Sequence, residues 1–198
     1  KLVGLSYATQ LGGVSFGSEI VYRQNTALNT AFGSPTIARG NSLHALVNAL
    51  AYIGKTPLFD SSTLLAEITY SRLQKVDAAT AGSFSHVDYN CPVGGKDAGC
   101  STNSAWGLAL SATPTWFQVF PSVDLTMPMS YSRGLKGNSA VPFGGNQGSG
   151  QWSLGIGADV KAKYKFDLAY NDYFGHYTAG ANPFAAVPGI GPSQMAYS

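Results

Sequence analysis

Apolar side chains recur at every second position through most of this chain, the period of strands that bury or expose one face at a time. Val3, Leu5 and Tyr7, then Val14, Phe16, Ile20 and Tyr22, set the pattern on either side of a Leu11-Gly12-Gly13 turn. It returns in Leu64, Ala66, Ile68 and Tyr70, in Trp106, Leu108, Leu110 and Ala112, and in Val123, Leu125, Met127, Met129 and Tyr131. Trp152, Leu154, Ile156, Ala158 and Val160 then turn through Lys161-Ala162-Lys163 into Tyr164, Phe166, Leu168 and Tyr170. The stretch from Leu43 to Ile53 is ambiguous: Leu43, Leu46, Val47, Leu50 and Ile53 also fit helical spacing, and its neighbours favour a strand.

This gives about eight strands, and their connections alternate short and long. The tight ones are Gly12-Gly13, Thr56 to Asp60, an aromatic connection from Pro114 to Pro121, and Lys161 to Lys163. Long loops lie near residues 24–42, 74–103, 134–150 and 176–198 of what reads as a single unit over residues 1–198. A soluble sandwich has no reason to gather every long loop at one end. Short turns at one end and long loops at the other are the habit of a membrane barrel, and the strand lengths suit a tilted span. The fold class expected is all-β, an antiparallel transmembrane β-barrel.

Composition agrees. Only 11% of the residues are charged, against about 25% in soluble domains. Hydrophobic residues make up 44% and the net charge is +2, which disfavours disorder. Lys and Arg are scattered rather than striped, so no nucleic-acid partner is expected. No apolar run is long enough for a transmembrane helix. The chain opens on Lys1 without a signal-like segment, and it reads as a processed chain or an internal segment.

Tyr22, Tyr70 and Tyr131 stand on the apolar face next to long loops, with Arg23, Arg72 and Arg133 close behind. Tyrosine settles where hydrocarbon meets water and arginine can reach beyond it to phosphate. We read these tyrosines as one aromatic girdle, with Trp116, Phe117 and Phe120 in a second girdle at the short-turn end. Position alone nominates Arg72 and Arg133 as lipopolysaccharide contacts. The alternative for the aromatics is ordinary cross-strand pairing in a soluble β-sandwich. The opposite face is small and polar, and Glu19, Arg23, Glu67, Asp124, Asp159 and Asp167 on it are candidates for lining a lumen, or else are merely solvated or paired with one another.

Cys91 and Cys100 lie together in the second long loop. With no CxxC and no histidine at ligand spacing, a disulfide suits them better than a metal, and it fits an oxidising periplasm. Gly13-Val14-Ser15-Phe16-Gly17 spells the nucleophile-elbow pattern, but that elbow needs a strand-to-helix turn and Ser15 opens an alternating strand. His44, His86 and His176 are conceivable bases without an identifiable partner. The glycine run from Gly144 to Gly150 lacks the Lys-Ser/Thr ending of a phosphate loop and reads as a flexible external loop. Phe184, Val187, Ile190 and Met195 could fold an apolar lid. No catalysis, cofactor or metal is expected.

Two stretches carry a family resemblance: RGNSLHALVNALAYIGKTPLFDSSTLLAEITYSR from Arg39 to Arg72, and Trp106 to Gly175, with PTWFQVFPSVDLTMPMSYSRGLKGNSAV, GQWSLGIGAD and YKFDLAYNDYFG. They are similar to a Gly-rich proteobacterial, hence Gram-negative, family known as DUF1302. The resemblance implies the C-terminal part of a larger outer-membrane barrel, with strands before Lys1 and a last strand after Ser198, and it makes Leu43 to Ile53 a strand. The function expected is a porin-like channel, or a transport or docking platform, for small hydrophobic or amphipathic solutes in the bacterial outer membrane. Its partners would be membrane lipid, lipopolysaccharide and envelope export or other periplasmic proteins. The second expectation is a structural or adhesive protein acting through its long loops.

Overall fold

The computed structural model describes residues 1–31, 33–91, 95–142 and 144–175. Nine strands run antiparallel in one sheet: β1 (Leu2–Leu11), β2 (Val14–Ala27), β3 (Arg39–Ile53), β4 (Ser61–Val76), β5 (Ser104–Phe120), β6 (Val123–Thr126), β7 (Met129–Lys136), β8 (Gly150–Val160) and β9 (Tyr164–Phe174). A short 3-10 helix, Ala78–Ser83, sits in the second long loop. Strands follow one another across the sheet as a meander, and the stretch that also fitted a helix is β3, paired with β2 and β4 along its length. Among the described residues β1 and β9 are the two edges and do not pair with each other.

β6 and β7 are two halves of the strand expected from Val123 to Tyr131. Both lie between β5 and β8. Pro128 has no N–H and interrupts the ladder, while its carbonyl still accepts the Gly155 N–H at 2.8 Å and the Met127 N–H reaches the Pro114 carbonyl at 3.0 Å.

The aromatic connection expected from Pro114 to Pro121 is instead mostly strand, since β5 continues to Phe120. Two carboxylates replace ladder partners where the register shifts between Trp116 and Phe120. Asp60 accepts the Phe117 N–H at 2.9 Å, and Asp124 accepts the Gln118 N–H at 2.7 Å. The Asp60 carboxyl is held below the usual carboxylate range by its bond to Lys55 and by the Phe117 N–H. A depressed carboxyl stabilises the fold fully above its ordinary range and loses that contribution as pH falls through its lowered value.

Burial is inverted relative to a soluble domain. Leu5 and Leu168 are each 73% exposed and Val47 is 55% exposed, although all three lie in strands. Phe84, Leu28 and Ala38 are fully buried, and none of them lies in a strand. The hydrophobic core, Leu28, Ala38, Phe84 and Ala140 with Leu73, Val76 and Val141 against it, belongs to the long-loop end.

The tight turns differ in strain. Gly12 and Gly13 take positive φ at no steric cost, but Lys161 (φ 56°) and Ala162 (φ 50°) adopt the same region with a Cβ. Replacing Lys161-Ala162 with Asn-Gly should raise unfolding free energy by about 1 kcal/mol, read from the midpoint of a urea titration.

Candidate functional site

Residues opposite one another in an antiparallel pair share a face, so the register sorts the side chains. One face carries Leu5, Tyr7, Phe16, Ile20, Tyr22, Val47, Ile68, Leu108, Leu110, Tyr131, Leu154, Ile156, Phe166 and Leu168. The other carries Ser15, Gly17, Glu19, Asn48, Glu67, Thr69, Gly107, Ser130, Ser153, Gly157 and Asp167. Glycines on this polar face lie beneath neighbouring polar groups: a Cβ at Gly107 would come within 2.6 Å of the Thr69 hydroxyl, and one at Gly157 within 2.5 Å of the Thr126 hydroxyl.

All six lumen candidates fall on the polar face, in two groups. Glu19, Arg23 and Glu67 lie on β2 and β4, while Asp124, Asp159 and Asp167 lie on β6, β8 and β9. Asp124 faces Asp159 directly, with Lys165 opposite Asp159 on the far side. Asp124 is also committed to the Gln118 N–H, and Asp167 is 3.9 Å from Lys165.

The girdle residues Tyr22, Tyr70 and Tyr131 fall on the apolar face, and so do Trp116 and Phe120 at the short-turn end. Phe117 is exposed at that same end, and the Trp116 indole N–H donates to the Leu58 carbonyl at 2.7 Å. Toward the loop end, ring contacts join aromatic side chains across strands. Tyr70 and Trp106 centroids are 4.6 Å apart, Trp152 and Tyr170 are 5.4 Å apart, and Tyr131 stacks on Phe174 at 5.8 Å.

This aromatic line runs obliquely through the register. Tyr22 is level with Arg72, Tyr70 with Trp106, Tyr131 with Trp152, and Tyr170 with Leu154 and Met129. From Tyr22 to Tyr170 the line shifts about 27 Å along the strands while crossing about 29 Å of sheet, at roughly 3.3 Å per residue and 4.8 Å per strand. Its slope is therefore about 40–45°, close to the strand tilt of membrane barrels.

Arg72 and Arg133 stand on the apolar face, each just beyond its tyrosine toward the loops, whereas Arg23 stands on the polar face. Two lysines that strict alternation would send to the polar face join these arginines. A register shift leaves Gln74 unpaired and sets Lys75 opposite Asn41; another leaves Leu135 unpaired and sets Lys136 opposite Trp106. Each β-bulge places residues i and i+3 on one face. The repeated Arg-x-x-Lys spacing in RLQK and RGLK was visible in the sequence, but the bulges that give it meaning were not.

The long loops fold into a shared cap over the loop end of the polar face. Val21 and Ala105 in that row are buried, as is Ser42 beside it. Asn29 donates to the Ser139 carbonyl at 2.7 Å and to the Ser101 hydroxyl at 3.1 Å. Asn138, fully buried, donates to the carbonyls of Lys96 and Cys100 and accepts the Gln147 N–H. Cys91 and Cys100 form a disulfide. Residues 137–140, inside the expected third long loop, are thus buried and bonded, because asparagine side chains supply the partners that the irregular backbone lacks.

His86 is buried in the cap, stacked on Tyr89 at 5.0 Å, with Nδ1 accepting the Asp88 N–H at 3.2 Å. Its Nε2 has no partner among the described residues. Beneath the cap a small recess is lined by Ser42, His44, Ser71, Thr102 and Ser139, with the Ser42 hydroxyl and His44 Nε2 2.8 Å apart.

Ser15 lies inside β2 and faces Gln10 and Leu50, not on a strand-to-helix turn. Leu50 lies six residues beyond His44 on β3, so Ser15 and His44 are about 20 Å apart along the strands. Among the described residues no three His, Cys, Asp or Glu side chains gather to hold a metal. His176 and the expected lid residues Phe184, Val187, Ile190 and Met195 lie outside the described residues.

The class defined by these features is an all-β antiparallel sheet with an exposed apolar face, a small polar face and a folded loop cap. The chain belongs to the family DUF1302, described as protein of unknown function, whose model matches residues 1–186. No curated protein and no solved structure matches the chain.

Asn138→Ala should leave the Lys96 and Cys100 carbonyls and the Gln147 N–H without their partners, costing the cap about 3 kcal/mol. Removing the disulfide with Cys91→Ser and Cys100→Ser should cost about 2–3 kcal/mol. Hydrogen exchange should quicken in residues 84–91 and 95–103 in both variants and stay slow in the centre of β3 and β4.

Proposed function

We propose that this chain is a segment of an outer-membrane β-barrel that forms a passage or docking platform for small hydrophobic or amphipathic solutes, without covalent chemistry. The observation that carries this reading is the exposed apolar face bounded by aromatics whose line crosses the strands at a barrel-like tilt. In water such a face would be a large aggregation hazard. In a bilayer it is the covered face, and the aromatic line becomes a belt parallel to the membrane surface.

The remaining features take their places in that frame. Glu19, Arg23, Glu67, Asp124, Asp159 and Asp167 face the lumen, and further strands join the edges of β1 and β9 to close a larger barrel. The cap lies over the polar face at the long-loop end, taken as external, and narrows the mouth. Lipopolysaccharide and membrane lipid are the immediate partners, and envelope export proteins are candidates for the periplasmic end.

The test is an unboiled-versus-boiled gel shift on the detergent-extracted full-length protein, followed by planar-bilayer conductance and apolar-ligand uptake. A heat-modifiable band with solute passage is expected. A soluble protein with no shift, or a barrel that neither conducts nor takes up apolar ligand, sinks the transport reading. Ile68→Arg should destabilise the inserted protein by about 2–4 kcal/mol, and Thr69→Arg on the other face by much less.

The hydrogen-bonded, disulfide-closed cap also favours a second reading, a structural or adhesive protein that presents this cap to an envelope partner or a neighbouring cell. Deleting residues 137–149 should then abolish partner binding and leave solute permeability intact.

A further inference from the structure

Arg72, Lys75, Arg133 and Lys136 are all exposed, and none of them forms an ion pair among the described residues. They occupy two parallel strands, β4 and β7, separated at this level by β5 alone. Arg72 is level with Ser104 and Arg133 with Leu108, so the two Arg-x-x-Lys pairs are offset by about 10 Å across the sheet and about 13 Å along the strands, roughly 16 Å in all. On each strand a bulge brings the lysine onto the face of its arginine, so two pairs of cations point the same way.

Between the pairs stands Trp106, packed against Tyr70 with the rings tilted by 43°, and 43% exposed. Below it, toward the short-turn end, Ile68, Leu108 and Leu110 continue the apolar face. The composite surface offers two separate phosphate sites above a hydrocarbon-compatible strip. A single phosphate satisfies one pair and leaves the other unpaired. Two phosphates held at opposite ends of one rigid headgroup satisfy both, with Arg offering bidentate bonds and Lys a point charge.

We propose that this patch binds a lipid with an acylated sugar headgroup bearing two phosphates, the lipid A class, with its acyl chains along Ile68, Leu108 and Leu110. The proposal rests on the membrane-barrel reading and adds the lipid's class and its four contacts, two of which alternation alone assigns to the wrong face. It distinguishes this lipid from singly phosphorylated phospholipids by the number and spacing of the cation pairs.

The test uses the full-length protein in neutral detergent, after the heat-shift gel has established whether it is a barrel. Native mass spectrometry then compares retention of bisphosphoryl lipid A, monophosphoryl lipid A of the same acylation, and phosphatidylglycerol. Wild-type protein should prefer the bisphosphoryl form by about tenfold or more, the scale of one added charge-assisted contact. R72Q/K75Q and R133Q/K136Q should each erase that preference, and K161Q/K163Q at the opposite end should leave it intact.

A heat-modifiable wild-type protein that retains the two forms of lipid A equally overturns the two-phosphate site and leaves the barrel reading standing. A preference that survives in both double variants does the same. A protein with no heat shift overturns the barrel reading, and the lipid site falls with it. The wild-type comparison decides the matter even where a variant fails to fold.

Discussion

Everything in this molecule depends on a sheet whose two faces, among the described residues, carry no second layer of protein over most of their area. Inside the sheet the ladders satisfy the backbone, with Asp60 and Asp124 standing in where β5 is irregular and the outer sides of β1 and β9 left as edges among the described residues. Its side chains are another matter. An apolar face of this extent requires cover, and the chain's own hydrophobic core is spent elsewhere, around Phe84 in the loops. On the barrel reading proposed above, a bilayer would supply that cover, and strands joining β1 and β9 would complete the ladder that hydrocarbon demands of a spanning backbone.

The two ends of the sheet solve different problems. At the short-turn end, Asp60 and Asp124 accept backbone N–H groups at the irregular end of β5, and local geometry suffices. At the other end, long irregular segments carry many orphan backbone groups. Asn29 and Asn138 satisfy some of these from within the cap, and the Cys91–Cys100 disulfide ties the second long loop to itself. The cap is thus a small packed body of its own, seated over Val21, Ser42 and Ala105 on the polar face.

Much of this was legible in the sequence, because strand alternation is a local signal. The faces, the girdle tyrosines and the position of the long loops follow from period two. So does β3 once its neighbours are considered, since Ala45, Val47 and Ala49 meet Tyr70, Ile68 and Ala66 in register. What escaped was everything that breaks the period. The bulges at Gln74 and Leu135 reassign Lys75 and Lys136 to the opposite face, the break at Pro128 divides one strand into two, and β5 runs on through residues that look like a turn. The cap was illegible for another reason: its contacts join Asn29, Cys100 and Asn138 from three loops, and no local pattern announces them.

The bond from Asn29 to the Ser139 carbonyl spans 110 residues of sequence. Contacts of such separation form late, because the intervening chain must first be organised before closure is rewarded. The hairpins on either side can zip up from their own turns, but the cap can assemble only when β2 and β7 already stand in the same sheet. The cap therefore closes last: a chain can be fully laddered while the loop end of its polar face is still uncovered, and a partner arriving before closure would meet that face open.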